Sequence, residues 1–397
     1  MTHSRNRKLR MGMVGGGQGA FIGAVHRIAA ALDQQVELVA GSFSRDFENT
    51  LSTGEQLYLD PSRCYRTYEE MAAREVRLPE DRRIDFVSVV TPNNSHFSIS
   101  KTFLEMGFHV VCDKPMTFNL QEAVDLARVV ERTGLVFALT HNYTGHPLVR
   151  HARELFRSGQ LGTVRKVIVE YLQDWLMAPL ETAGQKQASW RVDPAQSGLG
   201  GALGDIGTHA FNLAEYITGD PVAAVCADTS TFLPNRKLDE DANVLLRFEK
   251  GGKGVLTCSQ IATGEENGLK IRVYASEGAI LWAQENPNEM HLYRYGQPRQ
   301  ILTRGHREYL SAPAAAATRI PVGHPEGYLE AFANIYAGAV RAIRAHLAGQ
   351  PLKTEEYEFP TVYDGVRGLQ FITQAVESAA RGGAWMSLER ISQTLTA

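Results

Sequence analysis

Residues 85–115 constrain the fold of this chain more than any other segment, because they read as strand, turn, helix, strand and turn in immediate succession. Phe86–Val90 is a short apolar, β-branched run, which is typical of a strand buried on both faces. Pro92 ends this strand, since proline cannot donate a ladder hydrogen bond. A helix that Gly107 terminates and a second strand at His109–Cys112 complete the strand–helix–strand unit.

Lys114 lies immediately after that second strand, in the sequence Asp-Lys-Pro. The carboxyl ends of the strands are where open α/β folds bind their ligands. A lysine fixed there by a following proline is well placed for chemistry, although a surface lysine on a turn has the same pattern. The spacing by itself leaves both interpretations open.

A second motif, near the N-terminus, indicates dinucleotide binding. A strand at residues 9–14 is followed by the turn Gly-Gly-Gly-Gln-Gly-Ala and by a helix over residues 21–32. Glycines let the backbone approach a pyrophosphate, and a helix N-terminus presents free N–H groups with partial positive charge. The candidate cofactor contacts in this motif are Gly15, Gly17, Gln18, Ala20, Phe21 and Ile22.

The end of the next predicted strand, residues 36–43, bears on the choice between NAD and NADP. An acidic residue there binds the free 2′-hydroxyl of NAD, whereas an arginine accommodates the 2′-phosphate of NADP. Ser44 and Arg45 follow the strand and favour NADP, although the adjacent Asp46 weakens that preference. A solvated residue at a helix start is the alternative interpretation of Arg45. The sequence therefore indicates NADP or NAD, with a weak preference for NADP.

Strands and helices alternate as far as about residue 145, which predicts a doubly wound parallel sheet. The pattern then changes to a succession of strands with few helices. Residues 242–249 and 269–275 alternate between apolar and polar side chains, so each of these strands has one apolar face. We therefore predict a dinucleotide-binding domain over residues 1–145 and an α+β domain over residues 146–397, whose sheet is covered by helices on one face only.

The second domain also contains irregular segments and long helices, and its sheet suggests an oligomer. Residues 179–204 and 296–324 are predicted to be irregular, and long helices over residues 328–347 and 361–380 close the chain. The last of these helices could pack back on the first domain. Because a broad sheet with one uncovered face is a natural subunit interface, we expect a homodimer or homotetramer formed through it.

Composition argues against several classes of function. The chain has 397 residues and a net charge of −3, without the basic stripe that nucleic-acid binding usually requires. It contains no apolar run of the roughly 18 residues that a membrane span needs. Its four cysteines are far apart, form no Cys-x-x-Cys pair and indicate neither a metal nor a redox motif. A reducing cytoplasm is the expected location.

Asp205 and His209 form the pair that is best suited to chemistry. They are four residues apart in a predicted helix that begins near Asp205, so they share a helix face. A carboxylate beside an imidazole raises its basicity and fixes its orientation, and histidine exchanges protons near neutral pH. The alternative is an N-cap aspartate and a histidine that packs along the helix. No third ligand accompanies the pair, so no metal is predicted.

Three segments carry a resemblance to a known family. They are the glycine turn with the following Gly-Ala-Val-His26, the block from Thr91 to Pro115, and Gly-Asp-Ile-Gly-Thr-His209. Together they resemble the glucose–fructose oxidoreductase/inositol dehydrogenase/rhizopine catabolism family, usually called Gfo/Idh/MocA. The resemblance covers nearly the whole chain and implies an N-terminal Rossmann domain and a C-terminal domain with an open-faced, mainly antiparallel sheet. It also implies NAD- or NADP-dependent oxidation or reduction of sugars and cyclitols by dimers or tetramers.

The resemblance assigns roles to individual residues. Lys114 matches the family's catalytic lysine, Asp205 its conserved aspartate and His209 its catalytic histidine. Thr91, Pro92, Asn93 and His96 match the positions that line the nicotinamide half of the cofactor. Asp113 and Lys114 are further candidate cofactor contacts, and Asp113 stands where the family more often has glutamate.

Two features depart from the family pattern. The third glycine of the turn is displaced, so either Ala20 or Gly23 fills its role. Residues 141–143 replace a more common arginine-containing version, so the substrate contacts should differ. The candidate substrate-binding residues are Lys114, Asn142, Tyr143, Trp190, Arg191, Asp205 and His209. Loop packing is the alternative role of Asn142, Tyr143 and the Trp–Arg pair.

In the implied mechanism, His209 accepts the substrate's hydroxyl proton, Asp205 orients His209, and Lys114 stabilises charge on the same oxygen. Two alternatives remain. Some relatives keep NAD bound and cleave glycosides, and others use the fold as nucleotide-sensing regulators. The presence of all three residues argues against a regulator.

Overall fold

The computed structural model describes residues 7–352 and 356–396, which divide into two compact units. The first unit comprises the described residues through Asn142 together with Phe332–Val366. The second unit comprises Tyr143–Ala331 and the described residues from Arg367 onward. The first unit thus takes in a segment from near the C-terminus, which the division at residue 145 predicted from sequence does not include.

The first unit is built on a parallel sheet, as predicted. Within the described residues this sheet has five strands in the order β2-β1-β3-β4-β5, and every neighbouring pair is parallel. The strands are β1 (Leu9–Gly15), β2 (Val36–Ser42), β3 (Phe86–Val90), β4 (His109–Cys112) and β5 (Phe137–Leu139). The helices between them are α1 (Phe21–Ala31), α2 (Phe47–Gln56), α3 (Tyr68–Glu75), α4 (His96–Glu105) and α5 (Leu120–Thr133). All five residues of β3 are buried, which confirms that this strand is covered on both faces.

A polar contact explains why a distant segment joins the first unit. The long helix α11 (Tyr328–Leu347) places Tyr336 in the core of this unit. Its hydroxyl lies 2.8 Å from both Ser88 Oγ in β3 and His26 Nδ1 in α1. The backbone N–H of Leu139 in β5 also donates to the carbonyl of Pro360. These buried hydrogen bonds fix the segment against the sheet.

The second unit contains the large sheet. In the part of the chain that the structure describes it has nine strands, in the order β13-β12-β11-β10-β6-β9-β8-β7-β14. The strands are β6 (Val164–Leu172), β7 (Val222–Ser230), β8 (Asp241–Phe248), β9 (Lys253–Ser259), β10 (Gly268–Ala275), β11 (Gly278–Ala283), β12 (Glu289–Arg294), β13 (Gln300–Thr303) and β14 (Met386–Ser387). Only β6 and β9 pair in parallel among these described strands, so the sheet is mainly antiparallel.

The two faces of this sheet differ as the alternation predicts. In β8, the side chains of Val244 and Leu246 are buried, whereas Leu245 between them is 46% exposed. The helices of this part of the chain are α6 (Pro147–Arg157), α7 (Lys186–Arg191), α8 (Pro194–Ser197), α9 (Thr208–Thr218), α10 (Ala312–Ala316), α12 (Val362–Ala380), which begins in the first unit, and α13 (Ile391–Thr396).

Two segments are more regular than the sequence indicates. The predicted irregular connection at residues 179–204 contains α7 and α8, and the predicted loop at residues 296–324 contains β13 and α10. These parts of the prediction are wrong because the elements are short. β13 is ordered by pairing with β12, a tertiary contact that leaves no periodic signal in four residues. No helix among the described residues is both long and apolar enough to cross a membrane.

Candidate active site

The glycine turn after β1 leaves the N-terminus of α1 open. Ala20 is the N-cap residue, makes no side-chain cap hydrogen bond, and is followed by a first turn without acidic residues. Gly19 has φ of 80°, and a Cβ built there would meet no described atom within 4 Å. An uncapped helix start beside open space suits an anionic group, because unpaired N–H groups and the helix dipole favour negative charge. The turn therefore fits the pyrophosphate of a dinucleotide.

Gly23 is the residue at which α1 packs closely against the glycine turn. A Cβ built on Gly23 would lie 2.4 Å from the Cα of Gly16, so only glycine allows α1 to pack this closely against the turn. Ala20, the alternative, occupies the N-cap position instead. The sequence-based site included Ala20 and left Gly23 as an alternative to it.

The other residues of the turn differ in their surroundings. The backbone N–H of Gln18 donates to Asn49 Oδ1 at 3.1 Å, and its side-chain Nε2 donates to Ser52 Oγ at 2.7 Å, which ties the turn to α2. Gly17 donates its backbone N–H to the carbonyl of Phe43. Phe21 is 66% exposed. Gly15 is the last residue of β1, and Ile22 is the second residue of α1.

The turn between β2 and α2 contains Ser44, Arg45 and Asp46, whose side chains have different surroundings. Asp46 caps α2, since its Oδ1 accepts the backbone N–H of Glu48 at 3.1 Å. The hydroxyl of Ser44 accepts the N–H of Asp46, also at 3.1 Å. Arg45 is exposed. Asp46 is exposed as well, but its carboxylate is engaged at the helix start.

His96 joins the turn after β3 to the turn after β4. Its Nδ1 lies 2.9 Å from the carbonyl oxygen of Pro115, and its Nε2 lies 2.8 Å from that of Thr91. Burial lowers the pKa of His96, so the neutral ring donates to one of these carbonyls at a time. Pro92 and the buried Asn93 lie in the turn that His96 fixes.

Asp113 and Lys114 end β4 in a compact hydrogen-bonded turn. Oδ1 of Asp113 accepts the backbone N–H of Lys114 and the hydroxyl of Thr140, both at 2.9 Å. Burial by itself would raise the pKa of Asp113, but the neighbouring His26 and the Lys114 ammonium hold it well below its usual value. An ionised Asp113 thus fixes the backbone on which Lys114 is carried.

The residues that follow Thr140 are buried as well. Burial and the charge of Lys114 lower the pKa of His141 to about 3, so this imidazole is neutral at physiological pH. Asn142 is 1% exposed, and its Nδ2 has no hydrogen-bond partner among the described residues. A buried donor without a partner is uncommon and indicates a place where a ligand or a water binds.

In the second unit, Asp205 lies in a π-helical turn, Leu203–Gly207, that leads directly into α9. His209 is the second residue of α9. The sequence placed a regular helix start near Asp205, whereas the structure has the wider turn, a feature that recurs at functional sites. The four-residue spacing still keeps the two side chains on one side of the helix.

The π-helical turn is anchored from a distant strand connection. Asp239 accepts the backbone N–H of Gly201 at 2.6 Å and of Leu203 at 2.7 Å through its two carboxylate oxygens. A Cβ on Gly201 would lie 2.1 Å from the carbonyl oxygen of Asp239. Asp239 therefore supplies the acceptor that the unpaired N–H groups of this helix start require.

Two further side chains converge on Asp205. Arg191 Nε lies 3.0 Å and Gln260 Nε2 lies 2.8 Å from the same oxygen, Oδ2. The guanidinium of Arg191 also stacks on Trp190, 4.3 Å from the ring centroid. Of the predicted pair, Arg191 thus contacts Asp205, and Trp190 packs on Arg191.

An aromatic cluster packs against His209. The ring of Tyr143 lies edge-on to the imidazole with the centroids 4.8 Å apart, and the hydroxyls of Tyr143 and Tyr171 are 2.5 Å apart. Tyr171 donates in turn to Asn267 Oδ1 at 2.7 Å. Burial raises the pKa of both phenols, so they act as neutral hydrogen-bonding groups.

Sequence reasoning did not identify four of these residues: Tyr171, Asp239, Gln260 and Asn267. They come from β6 and from the connections before β8, after β9 and before β10. None belongs to a local motif, so no signal along the chain could have found them.

Comparison with known proteins places both units in one family. The family described as "Oxidoreductase family, NAD-binding Rossmann fold" matches residues 9–141, and the GFO/IDH/MocA C-terminal domain matches residues 149–281. The chain is 32% identical to the uncharacterized oxidoreductase YfiI of Bacillus subtilis, across 97% of this chain and 98% of that protein. It is 26% identical to the levoglucosan dehydrogenase of Pseudarthrobacter phenanthrenivorans, across 97% of this chain and 100% of that protein.

A solved structure agrees with these matches. An inositol dehydrogenase homologue from Azotobacter vinelandii complexed with NAD⁺ has a TM-score of 0.92 and 38% identity, covering 96% of this chain and 98% of that chain. A complex of the homologue with NADH and myo-inositol gives a TM-score of 0.89 at 36% identity, with the same coverage. The chain belongs to the Gfo/Idh/MocA family of NAD-binding oxidoreductases.

Proposed function

We propose that this oxidoreductase transfers hydride between the nicotinamide of NAD(P) and a CH–OH or C=O group of a sugar, sugar derivative or cyclitol. The observation that carries the proposal is the arrangement around Asp205 and His209 in the second unit. A carboxylate fixed by two donors precedes, by one helical turn, an imidazole that packs against a tyrosine. That combination suits proton transfer to and from a hydroxyl group.

The bound nicotinamide would supply or accept the hydride. His209 would take the hydroxyl proton during oxidation and return it to the carbonyl oxygen during reduction. The ionised Asp205 would orient the imidazole and stabilise its protonated form. Lys114, on a backbone that Asp113 fixes, would donate a hydrogen bond to the substrate oxygen and stabilise its developing negative charge.

A polyhydroxylated ring is the substrate class that the surroundings support. Tyr143 offers an aromatic edge, and Asn142 has a buried amide donor without a described partner. Trp190 and Arg191 add a second aromatic surface and a cation. The inositol dehydrogenase homologue solved with myo-inositol and the levoglucosan dehydrogenase both act on or bind such rings, according to their names.

For the cofactor, we propose that Arg45 allows NADP(H) to bind, with a preference over NAD(H). Its support is the exposed position of Arg45 and the engagement of Asp46 as a helix cap. The inositol dehydrogenase homologue was solved with NAD⁺ and with NADH. Each test of NADPH binding to this chain therefore includes NADH for comparison.

We further propose a cytoplasmic homodimer or homotetramer formed through the large sheet. Leu245 and Tyr274, on the uncovered face of β8 and β10, are 46% and 41% exposed, which gives this face apolar area for an interface. The four cysteines are free, as is usual in a reducing compartment.

The test is NAD(P)H formation from a panel of cyclitols, monosaccharides and anhydrosugars, with His209→Ala as the comparison. We expect turnover with at least one compound and a loss of roughly 10²–10⁴-fold in the variant, because the proton acceptor is removed. Binding of NADH, followed by fluorescence, should be unchanged. Near-normal turnover by His209→Ala would refute the assignment.

The same assay separates the alternatives. Cleavage of a glycoside with cofactor that stays bound and shows no net turnover would indicate the glycosidase chemistry. Nucleotide binding without reaction on any compound would indicate a regulator.

A further inference from the structure

The carboxylate of Asp205 is held by a pair of donors, Arg191 and Gln260, which we call the Asp205 clamp. Both donors bind the same oxygen, Oδ2, at 3.0 Å and 2.8 Å. Neither uses Oδ1. The side chain of Asp205 is 15% exposed, so these hydrogen bonds form largely out of water. A buried charge is tolerated only when it is paired and hydrogen-bonded.

Gln260 is itself rigidly placed. It follows β9, is 2% exposed, and donates its backbone N–H to the carbonyl of Glu240 at 2.9 Å. Its own carbonyl accepts the N–H of Leu176 at 3.1 Å. Because an ionised carboxylate can only accept, the side-chain amide must turn Nε2 towards Asp205. A buried glutamine anchored on both backbone sides defines one position for the carboxylate.

Arg191 is fixed by different contacts. Its Nη1 donates to the carbonyl and to Oε1 of Gln187 at 3.2 Å and 2.8 Å. Its guanidinium stacks on Trp190 and lies 5.6 Å from the ring of Trp175. The arginine therefore supplies the charge of the clamp, while Gln260 supplies a neutral hydrogen bond.

We propose that Gln260 and Arg191 are positioning residues that hold Asp205 in the orientation in which it acts on His209. The inference deepens the proposed function, because it rests on His209 as the proton acceptor. Its consequence is that the basicity of His209 depends on an amide 51 residues further along the chain, Gln260, which has no catalytic role of its own.

The aromatic neighbours of His209 in the second unit supply no charge. The rings of Tyr143 and Tyr171 lie 4.8 Å and 6.3 Å from the imidazole. Burial raises the pKa of both phenols, so they stay neutral near physiological pH. In this cluster, Gln260 and Arg191 therefore set the position of the carboxylate. Lys114, which the proposed function places at the same substrate oxygen, is unchanged in every variant that the test compares.

The test replaces Gln260 by methionine, an unbranched side chain of similar length that cannot donate to Asp205. The control is Gln370→Met, because Gln370 is another buried glutamine of the second unit, and its Nε2 donates to Thr394 Oγ1 at 2.6 Å. The pKa of His209 is measured by NMR on histidine-labelled protein, assigned with His209→Gln. Asp205→Asn gives the reference for complete loss of the carboxylate.

We expect Gln260→Met to lower the pKa of His209 by about 0.5 to 1 pH unit, in the direction of Asp205→Asn, because the carboxylate loses its fixed orientation. We expect kcat to fall about 10-fold with a smaller change in KM, the size typical of a lost hydrogen bond to a charged group. Gln370→Met should change neither quantity. Should Gln260→Met fail to fold, Gln260→Asn, one methylene too short to reach Asp205, is judged by the same criteria.

An unchanged pKa and kcat in the Gln260 variant would overturn the proposal, as would equal losses in the Gln370 control. A pKa of His209 that is also unchanged in Asp205→Asn would overturn it, because the pair would then be uncoupled. If the wild-type protein oxidises no polyol but the pKa of His209 falls in Gln260→Met and in Asp205→Asn and not in the Gln370 control, the positioning role stands and the proposed function fails.

Discussion

The two units prepare their functional groups in different ways. In the first unit, the predicted residues lie in or next to turns that directly follow strands: the glycine turn follows β1, Thr91 follows β3, and Lys114 follows β4. In the second unit, Asp205 is held by Arg191 from α7 and by Gln260 after β9. The first arrangement is made of consecutive motifs, and the second of side chains from distant segments.

The difference follows from sheet topology. Neighbouring strands of a parallel sheet end at the same edge, so the turns after them are collected there without further contacts. A mainly antiparallel sheet has no such common edge, and a site beside it depends on long-range hydrogen bonds. We therefore expect variants in the first unit to act through single residues and variants in the second unit to act through networks.

The largest effect is expected for Lys114→Met. Removing the ammonium should lower kcat roughly 10²–10³-fold, the usual cost of losing one donor to a developing oxyanion. NADH affinity should change little, because the turn that Asp113 fixes remains. Lys101→Met, on α4 of the same unit, is the control. Wild-type turnover by Lys114→Met would show that the first unit contributes only cofactor binding.

Gly23→Val tests the close packing of α1 on the glycine turn. The Cβ of the new side chain would lie 2.4 Å from the Cα of Gly16, so the turn must shift. We expect a loss of about 1–3 kcal/mol in the free energy of unfolding, as for overpacked positions, and weaker NADH binding. Urea unfolding and fluorescence titration measure both. Ala24→Val, on the neighbouring, partly exposed position, should have neither effect.

Arg45→Ala addresses the choice of cofactor. Loss of a charged hydrogen bond to the 2′-phosphate should raise the Kd for NADPH about 10-fold and leave that for NADH unchanged. Titration of both nucleotides against wild-type and variant protein is the measurement, with the exposed Arg66→Ala as the control. If NADH binds more tightly than NADPH to the wild-type protein, the preference for NADP is wrong.

The last comparison concerns the pH dependence of stability, in which the two units should behave alike. Burial lowers the pKa of His109, in the first unit, to about 3 and of His151, in the second, to about 4. Each accepts a backbone N–H at Nδ1, from Val136 and from Ser311 respectively, and protonation would remove that acceptor.

The unfolded chain, with a histidine pKa near 6.5, binds these protons first. The contribution of these neutral rings to the free energy of unfolding is therefore fully present above about pH 6.5. It falls as the pH decreases towards the folded pKa values of about 4 and about 3. Each histidine contributes at most about 1.4 kcal/mol per pH unit to the slope of the unfolding free energy. His109→Asn and His151→Asn should each flatten that slope in urea unfolding between pH 4 and 6. A slope unaffected by both substitutions would contradict the buried, neutral state of these rings.

Much of the fold was predictable because the patterns are local. The strands Phe86–Val90 and His109–Cys112 have the predicted bounds, since short apolar runs and the neighbouring Pro92 and Gly107 mark them. The π-helical turn Leu203–Gly207 was not predictable, because its hydrogen bonds depend on Asp239, which lies beyond the next strand.

The predicted site residues show the same division. Residue type and spacing singled out Lys114, Asp205 and His209, but not Gln260 or Asn267. The role of the third glycine stayed open in the sequence, because Ala20 and Gly23 are equally compatible with the motif. The short distance between Gly23 and Gly16 in the folded turn favours Gly23.

The sequence by itself determined the order of strands and helices along the chain, the family, and the candidate residues that match the family's motifs. These features are encoded in motifs of a few adjacent residues. Only the tertiary structure decided which donors hold Asp205, which side chains pack on His209, and which residues of the glycine turn approach each other. The physical reason is that hydrogen bonds and close contacts are short and directional. They therefore depend on which distant segments of the chain come together, and packing within each unit determines that.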